Sequence, residues 1–337
     1  MSASTVATME RRTHLARPRY REEPCKSALT RVTGMPFRWS LNPYVGCAHR
    51  CTFCYVRGFE QRAQRASGEG YGASIRVKTN LVEVLEGELR RRSWRREAVA
   101  MGTGTDPYQP AEGEYRLTRG CIRALGAART PFSIVTRGPL IVRDIDVLQE
   151  AARRVEVTVH FSVPTLDRAI WRHTEPGTAP PHQRLRAVRA LVDAGIRAGV
   201  GMAPLIPGLT DRPEQLVKVA RAARDHGATH LWSRTLYLAP GTREHFLGEL
   251  ARVWPEEAER LDGLYRTAYL DRAREDAVHD RVASVIGEAD IADRRTHAIE
   301  PDPPDIQLGL WGTPSEARPG RDARLERGLM PSARPPR

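Results

Sequence analysis

The chain has 337 residues, 40% hydrophobic and 28% charged, enough apolar content for one large globular domain with appendages. Lys and Arg number 53 against 41 Asp and Glu, a formal charge of +12 that attracts phosphate-bearing partners, and all of the basic residues but Lys26, Lys78 and Lys218 are Arg. The opening MSASTVATMERRTHL lacks the apolar run of a signal peptide, no segment is long enough to span a membrane, and five unevenly spaced cysteines do not make a secreted disulfide framework, so the sequence predicts a cytoplasmic, reduced location with no membrane contact.

Residues 1–35 are polar and Arg-rich without sustained periodicity, and read as a basic N-terminal arm or edge segment that packs late or stays mobile. From about Ser40 short apolar runs alternate with helical stretches: LNPYVG, NLVEVLEGELRRR, AVAMGT, LTRGCIRALGAAR, PFSIVT, RDIDVLQEAARR, VEVTVHFSV, HQRLRAVRALVDAG, IRAGVGMAPL, PEQLVKVARAARDHG and THLWSRTLYL. Asn80 and Thr118 occupy expected N-cap positions, and Gly195 and Gly227 expected helix ends. About six strand–helix units are too few for an eight-unit barrel, so the fold class is α/β with a partial (β/α)6 parallel barrel over 36–245. A C-terminal helical extension follows over 246–291, and the Pro/Arg-rich tail 292–337 is expected to be disordered, as is the N-terminal segment.

In parallel α/β folds the working loops lie at the carboxyl ends of the strands. Directly after the first strand-like run comes Cys47-Ala48-His49-Arg50-Cys51-Thr52-Phe53-Cys54-Tyr55, a C-x3-C-x2-C spacing. Three thiolates on a short loop can cap three corners of an iron–sulfur cube and leave one iron open, whereas structural zinc wants four closed ligands. A zinc knuckle completed by His49 or Cys25, or three unrelated core cysteines, is the competing reading. Cys121 falls on the apolar side of a helix as a small buried hydrophobe.

The spacing, with aromatic Phe53 before the last cysteine, resembles the radical S-adenosylmethionine (SAM) superfamily. Together with NPYVGC, MGTGTDPYQP, IVTRG, HFSV and APLIPGLTD it is similar to the spore-photoproduct-lyase-like branch, also labelled DNA-repair-photolyase-like. The resemblance implies a [4Fe–4S] cluster on Cys47, Cys51 and Cys54 and reductive cleavage of SAM to a 5′-deoxyadenosyl radical that attacks an unidentified substrate. It further implies SAM contacts from Tyr55 (adenine border), Thr105 (hydroxyl), Arg137 (carboxylate), Ser162 (ribose) and Ala203, with Pro204, at the adenine edge. Asp106, Tyr108, Gln109 and Glu114 are then candidates for a substrate-facing edge. One departure stands out: Thr103 occupies the place where the lyases carry a hydrogen-donating cysteine, which argues against thymine-dimer reversal.

A reducing partner of flavodoxin or ferredoxin type is implied by the same resemblance. DNA or RNA is a further candidate partner on charge grounds. In the tail, Gln307-Leu308-Gly309-Leu310-Trp311 resembles the pentapeptide by which bacterial proteins dock on the sliding clamp. The alternative to an enzyme is a non-catalytic iron–sulfur or zinc module that binds nucleic acid.

Overall fold

The computed structural model describes residues 17–300. The chain opens with β1 (Arg19–Glu23), β2 (Leu29–Arg31), β3 (Trp39–Leu41) and β4 (Tyr44–Val45), then α1 (Val56–Arg62), β5 (Ser74–Lys78) and α2 (Leu81–Leu89). Next come β6 (Val99–Met101), α3 (Ala111–Tyr115), α4 (Leu117–Ala127), β7 (Phe132–Thr136), a 3-10 turn over Pro139–Asp144 and α5 (Ile145–Ala152). They are followed by β8 (Val157–Ser162), α6 (Arg168–Thr174), α7 (Pro181–Asp193), β9 (Arg197–Leu205), α8 (Pro213–Asp225) and β10 (Leu231–Thr235). Three helices close the described chain: α9 (Arg243–Ala251), α10 (Pro255–Leu264) and α11 (Arg272–Ala289).

Strands β3, β6, β7, β8, β9 and β10 lie side by side in that order, each parallel to its neighbour, and β2 adds an antiparallel edge to β3. Among the described residues β10 and β2 stand at opposite edges of the sheet and do not pair with each other, so the six parallel strands form an open partial barrel. Side-chain alternation decides which face is inner. On β8, Val157, Val159 and Phe161 join the core that the helices cover with Leu148, Leu185 and Val188. Thr158, His160 and Ser162 therefore point to the concave side.

The expected C-terminal helices are present. Phe246 and Leu250 of α9 and Leu261 of α10 bury themselves with Ile206, Leu236 and Leu238, and this second apolar cluster extends to Cys51 and Phe53. Val278, Val282 and Val285 attach α11 to the main core. No helix among the described residues is long and apolar enough to cross a membrane.

Several local expectations need correction. LNPYVG is not one strand: Pro43 has no N–H for a ladder, so β3 ends at Leu41, and β4 pairs instead with β5 in a separate sheet of order β1-β5-β4. Within the polar opening segment, β1 and β2 are edge strands of the two sheets, held by backbone pairing and by a few apolar anchors, Tyr20 on β1 and Leu29 on β2. Asn80 stands at the start of α2, but its amide is spent on Cys25, accepting from its N–H at 2.7 Å and donating to its carbonyl at 3.1 Å. Thr118 lies one residue inside α4 and donates to the Pro107 carbonyl at 2.6 Å, while the Glu112 carboxylate accepts the Thr118 N–H at 2.9 Å and so does the capping. Gly195 and Gly227 follow α7 and α8 with positive φ, as expected.

Part of the Pro/Arg-rich tail segment also packs. Arg295 donates to the Gly195 carbonyl at 2.8 Å, and Ile299 lies against the core. The Gln307–Trp311 motif lies outside the described residues.

Gly102 ends β6 with φ +94°, and a Cβ there would sit 2.2 Å from the Val135 carbonyl oxygen of the next strand. Gly102→Ala should destabilise the fold by about 1–3 kcal/mol, read as a lower urea midpoint. An unchanged midpoint would mean that the β6 end is not as tightly apposed to β7 as described.

Candidate active site

The cysteine loop emerges at the carboxyl end of the first parallel strand, and its backbone is held mostly by side chains brought from elsewhere. Gln109, fully buried, accepts the Ala48 N–H at 2.9 Å and donates to the Gly46 carbonyl at 3.1 Å. Thr105 donates to the same carbonyl at 2.6 Å and accepts from Gln109 at 2.8 Å. On the other side Arg57, 2% exposed, donates to the carbonyls of Cys51 and Arg50, each at 3.1 Å, and to those of Ser67 and Gly68. Gly72 and Gly177 let neighbouring backbone approach closely, since a Cβ would lie 2.3 Å from the Cys47 carbonyl and 2.4 Å from that of Ala48.

All three loop cysteines are free thiols, Cys47 and Cys51 buried and Cys54 half-buried with its Sγ 3.6 Å from the Tyr71 hydroxyl. Burial pushes the Cys47 thiol well up, and the charges of Asp106, Cys51 and Cys54 add to this. Burial likewise lifts Cys51 to about 12, against the pull of Arg137. The thiols are thus near enough to feel one another, and their ionised forms call for a cationic partner.

Their type, burial and shared loop fit an iron–sulfur cluster. Among the described residues no three His, Cys, Asp or Glu side chains converge as a metal site, the loop thiols included, and none provides a fourth ligand. His49 turns its Nδ1 to Asp106 Oδ2, 3.1 Å away, and Cys25 is anchored to Asn80.

Arg137, Glu175 and Arg184 form the charged centre of the mouth. Glu175, wholly buried, accepts from Arg137 Nε at 2.6 Å and from Arg184 Nη1 at 3.1 Å to each oxygen. Arg137 also donates to the Ala203 carbonyl at 3.2 Å and lies 5.6 Å over the Phe53 ring, while Arg184 donates to the Ser162 carbonyl at 2.8 Å. Arg137 therefore stands between the Glu175 carboxylate, the ionised Asp106 carboxyl and the Cys51 thiol, all of which act on it. Arg137 Nη1 has no partner among the described residues.

Of the predicted SAM contacts, Arg137, Ser162 and Ala203 are thus brought together. Tyr55 sits at the exposed rim, its hydroxyl donating to the Thr103 carbonyl and its ring edge-on to Phe59. The Thr105 hydroxyl is committed to the cysteine loop.

The expected substrate edge does not form. Asp106 is buried, accepting from the Thr136 hydroxyl and the Arg137 N–H, both at 2.6 Å. Burial alone would raise its pKa, but His49 and these donors outweigh that and hold it at about 2. Tyr108 is buried with its hydroxyl 3.2 Å from Asp144, Gln109 serves the loop, and Glu114 is exposed beside Arg17. The sequence reading missed Glu175, Arg184, Arg57 and Glu112. No local pattern marks Glu175, since its partners come from β7's end and from α7.

A six-strand parallel half-barrel with a thiol loop and a cationic centre at its carboxyl mouth defines a cofactor-dependent α/β enzyme. The sequence pattern of the radical SAM superfamily matches residues 41–220, and the chain belongs to that superfamily. An uncharacterized protein of Mycobacterium tuberculosis is 40% identical over 296 residues, 86% of each chain. One of Acidianus two-tailed virus is 28% identical over 238 residues, 67% of this chain and 77% of the viral one. Among solved structures, spore photoproduct lyase complexed with dinucleoside spore photoproduct superposes with a TM-score of 0.62 at 16% identity, over 80% of this chain and 79% of the lyase, and shares the fold.

Glu175→Gln should cost about 3–5 kcal/mol at neutral pH, because two buried guanidiniums lose their counter-charge. Burial tends to raise the Glu175 pKa, but Arg184 and Arg137 more than offset it, so the folded value lies below the ordinary 4.5. Its contribution is therefore complete above that pH and lost as pH falls through the folded value. The wild-type advantage over Glu175→Gln in urea titrations should shrink on acidification; a constant gap would contradict the pairing.

Proposed function

We propose that the protein binds a [4Fe–4S] cluster through Cys47, Cys51 and Cys54 and uses it to cleave SAM reductively. When bound, the cluster supplies the electron that splits SAM into methionine and a 5′-deoxyadenosyl radical able to abstract hydrogen from a substrate. The observation that carries this reading is the three-thiol loop at the carboxyl mouth of the parallel half-barrel. An uncapped iron is what the amino and carboxylate groups of SAM require.

The chain's own residues supply binding and exclusion. Arg137, whose Nη1 is uncommitted, offers a fixed positive charge to the SAM carboxylate. Ser162 and the backbone at Ala203 border the ribose and adenine, and Tyr55 closes the rim. Thr105 acts at one remove, by holding Gly46 and hence the cysteine loop. Phe53 and the second apolar cluster keep water from the buried side of the loop.

Thr103 has its hydroxyl 2.5 Å from Ser40 and offers no S–H bond, and an O–H bond is too strong to give a hydrogen atom to a carbon radical. The reaction we propose is therefore not dimer reversal through a thiol at this position. The formal +12 supports a phosphate-bearing substrate such as nucleic acid, and a flavodoxin- or ferredoxin-type protein is the reductant this chemistry calls for.

The test is anaerobic reconstitution followed by dithionite and SAM. Brown protein that forms 5′-deoxyadenosine, with both colour and product lost in the triple Cys47→Ala, Cys51→Ala, Cys54→Ala variant, is the expected result. A colourless protein holding stoichiometric zinc, or colour that survives the triple substitution, would overturn it.

A further inference from the structure

The floor of the barrel carries a side-chain cluster that neither the cysteine loop nor the Arg137 centre uses. Three strands build it in register. His160 on β8 stands opposite Gly199 on β9, and one layer nearer the mouth Ser162 stands opposite Gly201, which stands opposite Trp232 on β10. These positions alternate with the core-facing Val159, Phe161 and Val200, so all lie on the concave face. The glycines make the arrangement possible. A Cβ on Gly201 would lie 2.5 Å from the Trp232 ring, and one on Gly199 would lie 2.6 Å from the His230 ring. The indole and imidazole therefore rest against the β9 backbone, with the His160 ring edge-on to both.

The hydrogen bonds fix which atoms carry protons. Trp232 Nε1 can only donate, and it lies 3.2 Å from His160 Nδ1. His160 Nδ1 is thus the acceptor, and it also takes the Nε2–H of His230 at 2.9 Å. The Nδ1 of His230 is left unprotonated, 2.9 Å from the Thr229 hydroxyl, whose one proton is shared between it and the Ala198 carbonyl 3.1 Å away. By elimination His160 keeps its proton on Nε2, which has no partner among the described residues. Burial, reinforced by Arg197, lowers His160 to about 4. Burial, then His160 and Arg197, lowers His230 to about 3 against the pull of Asp293, so both rings are neutral at physiological pH.

We infer that this inner face is a recognition subsite for a planar heterocycle carrying a carbonyl, with the ring stacked on Trp232 and the carbonyl accepting from His160 Nε2–H. A neutral donor of fixed tautomer suits a neutral acceptor. It complements the charged centre one layer above, which suits a carboxylate or phosphate. The subsite deepens the reading of the barrel as a radical enzyme and gives the substrate class its shape: a flat, carbonyl-bearing ring lying beneath SAM.

The experiment compares two nucleosides on the reconstituted enzyme, deoxyguanosine and 2-aminopurine deoxyriboside, a closely related purine without the ring carbonyl. Wild type should hold deoxyguanosine about tenfold tighter, the worth of one hydrogen bond whose donor is otherwise left unpaired. His160→Phe should bring the ratio to about one, His160→Gln should largely keep it, and Trp232→Ala should weaken both nucleosides together by about tenfold or more. Failure of wild type to bind either nucleoside at millimolar concentration, or an unchanged ratio in His160→Phe, overturns the subsite.

Nitrogen-15 spectra of wild type supply a check that needs no variant to fold. A neutral Nε2–H tautomer of His160 at pH 7 is required, and a proton on Nδ1 or an imidazolium would contradict the proposal. Absence of 5′-deoxyadenosine formation by wild type would sink the SAM reading without touching the nucleoside ratio, so the two failures are separable.

Discussion

The structure depends on satisfying the backbone of one irregular loop inside a protein. Residues 46–54 run through the barrel mouth outside any strand or helix of their own, so their buried amides and carbonyls need donors and acceptors from elsewhere. Gln109, Thr105 and Arg57 provide them, reaching from the β6–α3 connection and from α1. The Thr52 N–H goes to the Thr174 carbonyl at 2.9 Å, which ties the loop to α6. The ties come from three separate parts of the chain, the β6–α3 connection, α1 and α6, so the loop's course depends on how these are brought together. A loop held this way has its backbone course fixed by the surrounding fold.

Charge is layered in the same spirit. At the mouth, Glu175 bonds two guanidiniums, one of which Asp106 also faces. Trp232 stands level with Ser162, and one layer deeper the imidazoles of His160 and His230 are held uncharged by burial. The order of the strands produces this separation, because residues two apart on β8 put Ser162 at the upper layer and His160 at the lower. A cofactor with an anionic end and a flat uncharged substrate would each meet the surface suited to it.

The architecture was largely legible in the sequence because it rests on local periodicity. The alternation in VEVTVHFSV and the helical spacing in HQRLRAVRALVDAG carry their own hydrophobic pattern, and the six parallel strands follow from counting such units. The Cys47–Cys54 spacing is equally local. Failures came where a residue's job is set by a distant partner. Glu112 and Glu114 stand two apart on a five-residue helix, yet one is buried capping α4 and the other faces solvent, a difference no window of sequence displays. Gln109 reads as a polar loop residue until the loop it braces is placed beside it. β1 and β2 show no periodic pattern in the sequence because each edge strand rests on backbone pairing and a single apolar anchor, Tyr20 or Leu29.

The central claim is that the thiol trio holds a cluster whose remaining iron takes SAM. Its most direct test is electron paramagnetic resonance of the anaerobically reconstituted, dithionite-reduced protein with and without SAM. A reduced [4Fe–4S] signal whose g-values shift on adding SAM is the predicted outcome. A signal that SAM leaves unaltered, or no cluster signal at all, would contradict the account.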